Sequence, residues 1–298
     1  MTMNPTRLCF RVAELVFGVT YYGEGSLRHL MPSYKHFHLP DYEGRVDMEV
    51  TVMDGLVDSA PEGEELGQFD CGGAVHGVFR LPDKGFKFQL RNYVGTITAA
   101  VRTDERFSRV KVSLAGKESE RAYGLNNTLM ICFAYCAAYH RTVLLHASVA
   151  VRDGRGYLFL GKSGTGKSTH SQLWIRHLRG SWLLNDDNPA VCVSTEGQVT
   201  VYGTPWSGKT PCYVNRSVPV GAFVRLEQAP ENSIAREPVT RAFASVLSSC
   251  STMMWDKGSY SQICDTATAI ISAVPIYYLR CLPDEAAARL SYDTVSRQ

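Results

Sequence analysis

A chain of 298 residues, 45% apolar and 20% charged, has the composition of a folded soluble protein and room for two modest domains or one large one. A formal net charge of +2 argues against a nucleic-acid binder and against a polybasic membrane protein. Nine cysteines (Cys9, Cys71, Cys132, Cys136, Cys192, Cys212, Cys250, Cys264 and Cys281) form no CxxC pair, so neither a zinc ribbon nor a redox dithiol is indicated, and scattered free thiols fit a reducing cytosol.

The N-terminal apolar stretch is interrupted by Arg11 and Glu14 and lacks the uninterrupted core of a secretory signal. The longest apolar run, 129–139, is too short to span a bilayer and is followed by His140 and Arg141. A cytoplasmic location is therefore expected. From there to about residue 117 short apolar-polar alternations at 46–53, 77–81, 86–90, 96–101 and 110–114 predict strands with one solvated face, separated by Gly, Pro and Asp turns. At 121–139 the period changes: Leu125, Leu129, Cys132, Phe133 and Cys136 recur at spacings of three and four, which predicts a helix. Cys132 and Cys136, one turn apart in an apolar run, read as core residues. A boundary near Glu120 divides the chain into a β-rich domain, 1–120, and a second domain, 121–298.

The second part alternates strands and helices. Apolar runs at 143–151 and 157–160 flank Asp153-Gly154, a strong hairpin signal. A helix is predicted over 168–179 with Leu173, Trp174 and Leu178 on one side and Gly180 as its stop. Further strands are expected at 182–184, 190–193, 199–202, 220–226 and 276–282. Helices are expected near 239–249, at 261–272 and after Pro283-Asp284-Glu285. The predicted fold class is α/β, an α+β arrangement on a mixed sheet.

The strand at 157–160 runs straight into Gly161-Lys162-Ser163-Gly164-Thr165-Gly166-Lys167-Ser168, a GxxxxGK[ST] sequence followed by a helix. Glycines let consecutive backbone N–H groups turn inward around a phosphate, and the helix N-terminus adds its positive end. In that chemistry Lys167 reaches the terminal phosphates and Ser168 supplies a hydroxyl to Mg2+. A second match, Gly203-Thr204-Pro205-Trp206-Ser207-Gly208-Lys209-Thr210, has no helical period after it and is stiffened by Pro205, Trp206 and Pro211. It is expected to be a site loop at most, with Lys209 guiding an acceptor or a phosphate. Asp186 and Asp187 end the 182–184 strand, where a carboxylate could hold metal or take a proton from a hydroxyl. Neighbouring side chains on a strand face opposite ways, so separate roles are expected for the two. His146 lies in the strand before the hairpin, which returns it towards the loop.

The ordered set Leu145-His146-Ala147-Ser148, then Gly161 to Ser168 with Thr169, then Asp186-Asp187 resembles the superfamily shared by HPr serine kinase/phosphorylase and ATP-dependent phosphoenolpyruvate carboxykinase. The resemblance covers about 144–226, with a looser echo at 275–283. It implies a nucleotide domain with its phosphate loop in a mixed sheet. It places His146 near metal and phosphates, and gives Asp186 or Asp187 the part of metal ligand or base. Where carboxykinases carry a lysine ligand the chain reads Tyr123-Gly124-Leu125-Asn126-Asn127, and loop 203–210 replaces the signature by which HPr kinases bind their protein partner. A related kinase acting on another hydroxyl is therefore the expectation.

That expectation assigns catalysis to Asp186, Asp187, Lys167 and His146. It assigns ATP binding to Gly161, Ser163, Gly164, Thr165, Gly166, Lys167, Ser168, Thr169 and Lys209, and Mg2+ to Ser168, Asp186 and Asp187. Partners would be a nucleoside triphosphate and a hydroxyl-bearing protein, peptide or small molecule, with a homo-oligomer allowed and neither nucleic acid nor membrane involved. The alternatives are a nucleotide-binding regulator without turnover and a small carboxykinase-like enzyme.

Overall fold

The computed structural model describes residues 5–56, 60–71 and 74–297, and the chain divides between Tyr139 and His140 into two compact units. Each unit is built on a large mixed sheet.

In the first unit β1 (Thr6–Val12) and β2 (Leu15–Tyr22) form an antiparallel hairpin across Ala13-Glu14. A short helix α1 (Leu27–Leu30), a 3-10 turn at Pro32–Phe37 and β3 (His38–Leu39) follow. Then come β4 (Met48–Asp54), β5 (Glu64–Cys71), β6 (Ala74–Arg80), β7 (Phe86–Arg91), β8 (Ile97–Thr103) and β9 (Arg109–Leu114). Among the described residues the order is β3-β1-β2-β4-β9-β8-β7-β6-β5, with β4 parallel to β2 and β9 and the other pairs antiparallel.

Helix α2 (Glu118–Ala138) buries Leu125, Leu129, Cys132, Phe133 and Cys136, the stripe its spacing predicts, and packs on β7, β8 and β9. Gly124 makes the close approach: a Cβ there would lie 3.1 Å from both the Ala99 Cβ and the Thr98 carbonyl. The helix predicted at 121–139, placed by the sequence in the second domain, thus packs into the first unit, and the boundary expected near Glu120 falls inside that unit. Burial pushes the thiols of Cys132 and Cys136 up, that of Cys136 to about 12, as expected of core thiols. Eight of the nine cysteines are free among the described residues; the side chain of Cys71 lies outside them.

The second unit opens with β10 (Thr142–Leu144), β11 (Ala147–Arg152) and β12 (Arg155–Leu160). Asp153 and Gly154 connect β11 to β12 with φ of 49° and 74°, the two positive angles of a tight hairpin turn. Next are α3 (Lys167–His177), β13 (Trp182–Asp187), β14 (Ala190–Val193), β15 (Val199–Tyr202) and β16 (Ser217–Gln228). They are followed by β17 (Ser233–Arg236), α4 (Val239–Leu247), α5 (Lys257–Ala273), β18 (Ile276–Cys281) and α6 (Glu285–Val295). The order among the described residues is β10-β14-β15-β16-β12-β11-β13, with β18 also on β16 and β17 on β18; β12 and β18 both run parallel to β16.

Helices α3 and α6 pack together over Trp174, which is fully buried against Tyr157, Phe159 and Tyr292. Its indole N–H donates to Ser291 Oγ at 2.9 Å, so a large apolar group is buried without stranding its polar atom. Among the described residues no helix is long and apolar enough to cross a membrane.

Candidate functional site

Three segments meet at one end of the second sheet. The last residue of β12, Leu160, pairs with Ala147 at the start of β11, and Ala147 pairs on its other side with Asp187 at the end of β13. The glycine-rich loop, His146 and the acid pair therefore leave the sheet from one level. The sequence places the acids just after a strand at 182–184; β13 extends through both, and β11 lies between it and the loop strand β12.

The loop folds on itself. Gly161, Gly164 and Gly166 have φ of 146°, 82° and 100°, and Gly166 immediately precedes the first residue of α3. Thr165 N and Oγ1 both donate to the Lys162 carbonyl, at 3.2 and 2.8 Å. Gln228, at the end of β16, donates its side-chain amide to the Gly164 carbonyl at 3.2 Å; nothing in the sequence marked this contact. Lys162, Ser163 and Gly164 are exposed, as are Ser168 and Thr169 on the first turn of α3.

Lys167 is buried, and its ammonium donates to the carbonyls of Gly161 at 2.9 Å and Lys162 at 3.2 Å. Burial lowers its pKa from the ordinary lysine value, with Asp187 and Asp186 opposing the shift. Behind it, Ser148 of β11 and Ser171 of α3 share a buried hydrogen bond of 2.6 Å that ties helix to sheet.

The two carboxylates point to different partners, as strand alternation predicts. Asp186 is buried and its Oδ1 accepts from Ser168 Oγ at 2.8 Å, joining the acid strand to the loop's last residue. Asp187 is partly exposed, with Oδ1 3.2 Å from His146 Nε2 and Oδ2 accepting from Asn188 Nδ2 at 2.9 Å. Asp187 has φ of 135°, a strained value for a residue with a side chain. His146 is exposed, and its backbone N–H donates to the Ser249 carbonyl at 2.7 Å.

The loop 203–210 has no helix after it, and it lies against the acid pair. Ser207 forms a bridge with Asp187, while Gly208 N and Ser207 Oγ donate to the Asp186 carbonyl at 2.7 and 3.0 Å. A buried network holds its base: Asn185 Nδ2 donates to Thr204 Oγ1 at 3.2 Å and to the Trp206 carbonyl at 3.1 Å, and Thr204 Oγ1 donates to the Asn188 carbonyl at 2.7 Å. Lys209 is exposed on the same loop, one residue after Gly208. Asn185 was missed in the sequence, where only its adjacency to the two acids could have signalled it.

The hydroxyl of Ser168 and the carboxylate of Asp186 form a hard-oxygen donor set, with Asp187 next in the chain. Among the described residues no group of three or more His, Cys, Asp and Glu is placed to hold a metal. A magnesium ion completed by substrate phosphates needs only one or two protein carboxylates, so this donor set fits that ion.

A family model described as SynChlorMet cassette protein ScmC matches residues 114–283, more than half of the chain. Among solved structures, the Hpr(Ser) kinase/phosphatase from Coxiella burnetii is similar at 16% identity over 51% of this chain and 95% of that one, with a TM-score of 0.31. No curated protein matches.

Proposed function

The chain belongs to the SynChlorMet cassette protein ScmC family, and from that premise we propose that it is an ATP-dependent phosphotransferase related to the HPr kinases, moving a phosphoryl group to a hydroxyl. The observation that carries the proposal is the join between loop and acids, the 2.8 Å hydrogen bond from Ser168 to Asp186. It brings the hydroxyl expected at a phosphate-bound metal to the carboxylate expected to share that metal. In this reading ATP binds within the second unit, residues 140–298, and the β-rich first unit is separate from it.

In this reading the backbone N–H groups between Gly161 and Ser168 bind the triphosphate, with Thr169 continuing the contact on the first turn of α3. Lys167 exchanges the carbonyls of Gly161 and Lys162 for the terminal phosphates. Its buried position strengthens that attraction. Ser168 and Asp186 would hold Mg2+, with Asp187 beside them, and the ion when bound would neutralise charge on the phosphates.

Asp187 is the proton acceptor: its carboxylate is partly exposed and is aligned by His146 and Asn188. The acceptor's O–H proton passes to Asp187 as its oxygen bonds to the γ-phosphorus. The bond from that phosphorus to the bridging oxygen breaks, and ADP leaves. Lys209 guides the acceptor from the loop at 203–210.

Two variants test the assignment. Lys167→Ala is expected to lower affinity for a fluorescent ATP analogue by at least about tenfold. Asp187→Asn is expected to keep that affinity and to lose ADP release in the presence of hydroxyl acceptors. Unchanged binding in Lys167→Ala would sink the proposal. Tight binding with no transfer to any acceptor would instead support a nucleotide-binding regulator.

A further inference from the structure

The second GxxxxGKT loop holds no helix N-terminus, yet it makes more contacts to the backbone of the acid pair than the first loop does. Gly208 N and Ser207 Oγ both donate to the Asp186 carbonyl, at 2.7 and 3.0 Å, and Ser207 pairs with Asp187. The peptide between the two acids is therefore gripped from one side. On the far side of that peptide, Asp187 takes its φ of 135°.

An unsupported aspartate would relax from that angle, because a side chain crowds its own backbone there. Relaxation would turn the Asp187 carboxylate away from His146 and would move the Asp186 peptide that carries the Ser168 partner. The grip depends on a missing side chain: a Cβ on Gly208 would stand 3.2 Å from Asp187 Cβ and 3.3 Å from Asp187 Cγ, and 3.4 Å from the Asp186 carbonyl. The loop is rigid enough to impose the geometry. Trp206 and Thr204 are buried in its base, and Asn185 bonds to both. Gly203 closes its stem, where a Cβ would lie 1.9 Å from the Val214 carbonyl.

We propose that loop 203–210 is a clamp on the acid pair, in which Gly208 and Ser207 are positioning residues that set Asp186 and Asp187 for metal binding and leave nucleotide binding to the first loop. The proposal rests on the phosphotransferase reading and assigns this loop a part in it. Its prediction is a split between two affinities that a general loss of structure would not produce. Outer partners of metal-binding carboxylates commonly contribute about 10–100-fold to metal affinity.

The test uses the full chain loaded with ADP, with Mn2+ as the metal probe followed by paramagnetic resonance, and ADP affinity measured separately without metal. Gly208→Ala is expected to weaken Mn2+ by at least about tenfold while metal-free ADP affinity stays within about twofold. Ser207→Ala, which removes one donor and adds no bulk, is expected to weaken Mn2+ in the same direction by less. It decides the matter if Gly208→Ala does not fold. Unchanged Mn2+ affinity in the folded variants overturns the clamp, as does a parallel loss of metal-free ADP binding. Failure of the underlying reading looks different: the unaltered protein would bind no ADP, or Lys167→Ala would bind it as well as the unaltered protein does.

Discussion

Gly161 and Gly166 both stand at positive φ in the first loop, but a side chain would meet different surroundings at each. At Gly166 nothing lies within 4 Å of a Cβ position, so Gly166→Ala carries only the cost of a left-handed backbone, about 1–2 kcal/mol. At Gly161 a Cβ would stand 2.6 Å from Thr165 Oγ1, so strain and collision add. Thermal unfolding should rank Gly161→Ala below Gly166→Ala, and an equal effect would mean that the Thr165 contact is not restrictive. His170 makes a second residue-level prediction. It is buried beside Phe159 and 3.0 Å from Ser291 Oγ, and burial lowers its pKa from 6.5 to about 4. The folded unit keeps it neutral, whereas the unfolded chain takes up a proton near pH 6.5. Its contribution is therefore full above that pH and is lost as pH falls towards 4, with an upper bound of about 3 kcal/mol. The drop in urea stability from pH 7 to pH 5 should be smaller in His170→Gln than in the unaltered chain; equal drops would refute it. At this scale the loop glycines, Ser168 and the two acids were legible, because their chemistry is written in adjacent residues. The φ of Asp187 was not, since an aspartate ending a strand looks alike in either conformation and its contacts with Ser207 and Gly208 come from some twenty residues on.

Among the elements, α3 links the loop to the core. Its sequence announces an amphipathic helix through Leu173, Trp174 and Leu178, and Trp174 is the residue on which α6 closes. Trp174→Ala should destabilise the second unit by about 3–5 kcal/mol, read as a lower urea midpoint. A loss under about 1 kcal/mol would mean that the helix is held mainly elsewhere. The Asp153-Gly154 hairpin was equally legible, because two positive φ angles demand such residues. The β1–β2 hairpin was not, since Ala13-Glu14 carries no turn signal although Ala13 adopts φ of 51°. β17 was not legible for another reason: Ser233-Ile234-Ala235-Arg236 has one large apolar residue, where the equally short β14 and β15 have apolar runs or alternation. The second loop falls between these cases. Pro205 and Pro211 rule out a following helix on local grounds, while its docking on Asp186 is long-range and leaves no local trace.

For the whole molecule, the alternation of strands and helices after residue 140 and its near absence before are both visible in the sequence. The extent of the first unit is not. A stripe such as Leu125, Leu129 and Phe133 shows that α2 is buried on one side, but not which sheet buries it. All of the loop, His146 and acid contacts described lie within residues 140–298. That fragment, expressed alone, is expected to show cooperative unfolding and to retain ATP-analogue affinity within about threefold, less than about 0.7 kcal/mol. Loss of binding by a folded fragment would show that the first unit contributes to the site. The shared rung at Leu160, Ala147 and Asp187 has a further consequence. Groups hung from one rung of a hydrogen-bonded ladder rise and tilt together, so breathing of the sheet preserves the spacing between histidine and acid. The glycine loop is joined to the same level through the hydrogen bond from Ser168 to Asp186. The strand ladder thus sets the level at which histidine and acids stand, while loop 203–210 holds the peptide between the two acids on that level.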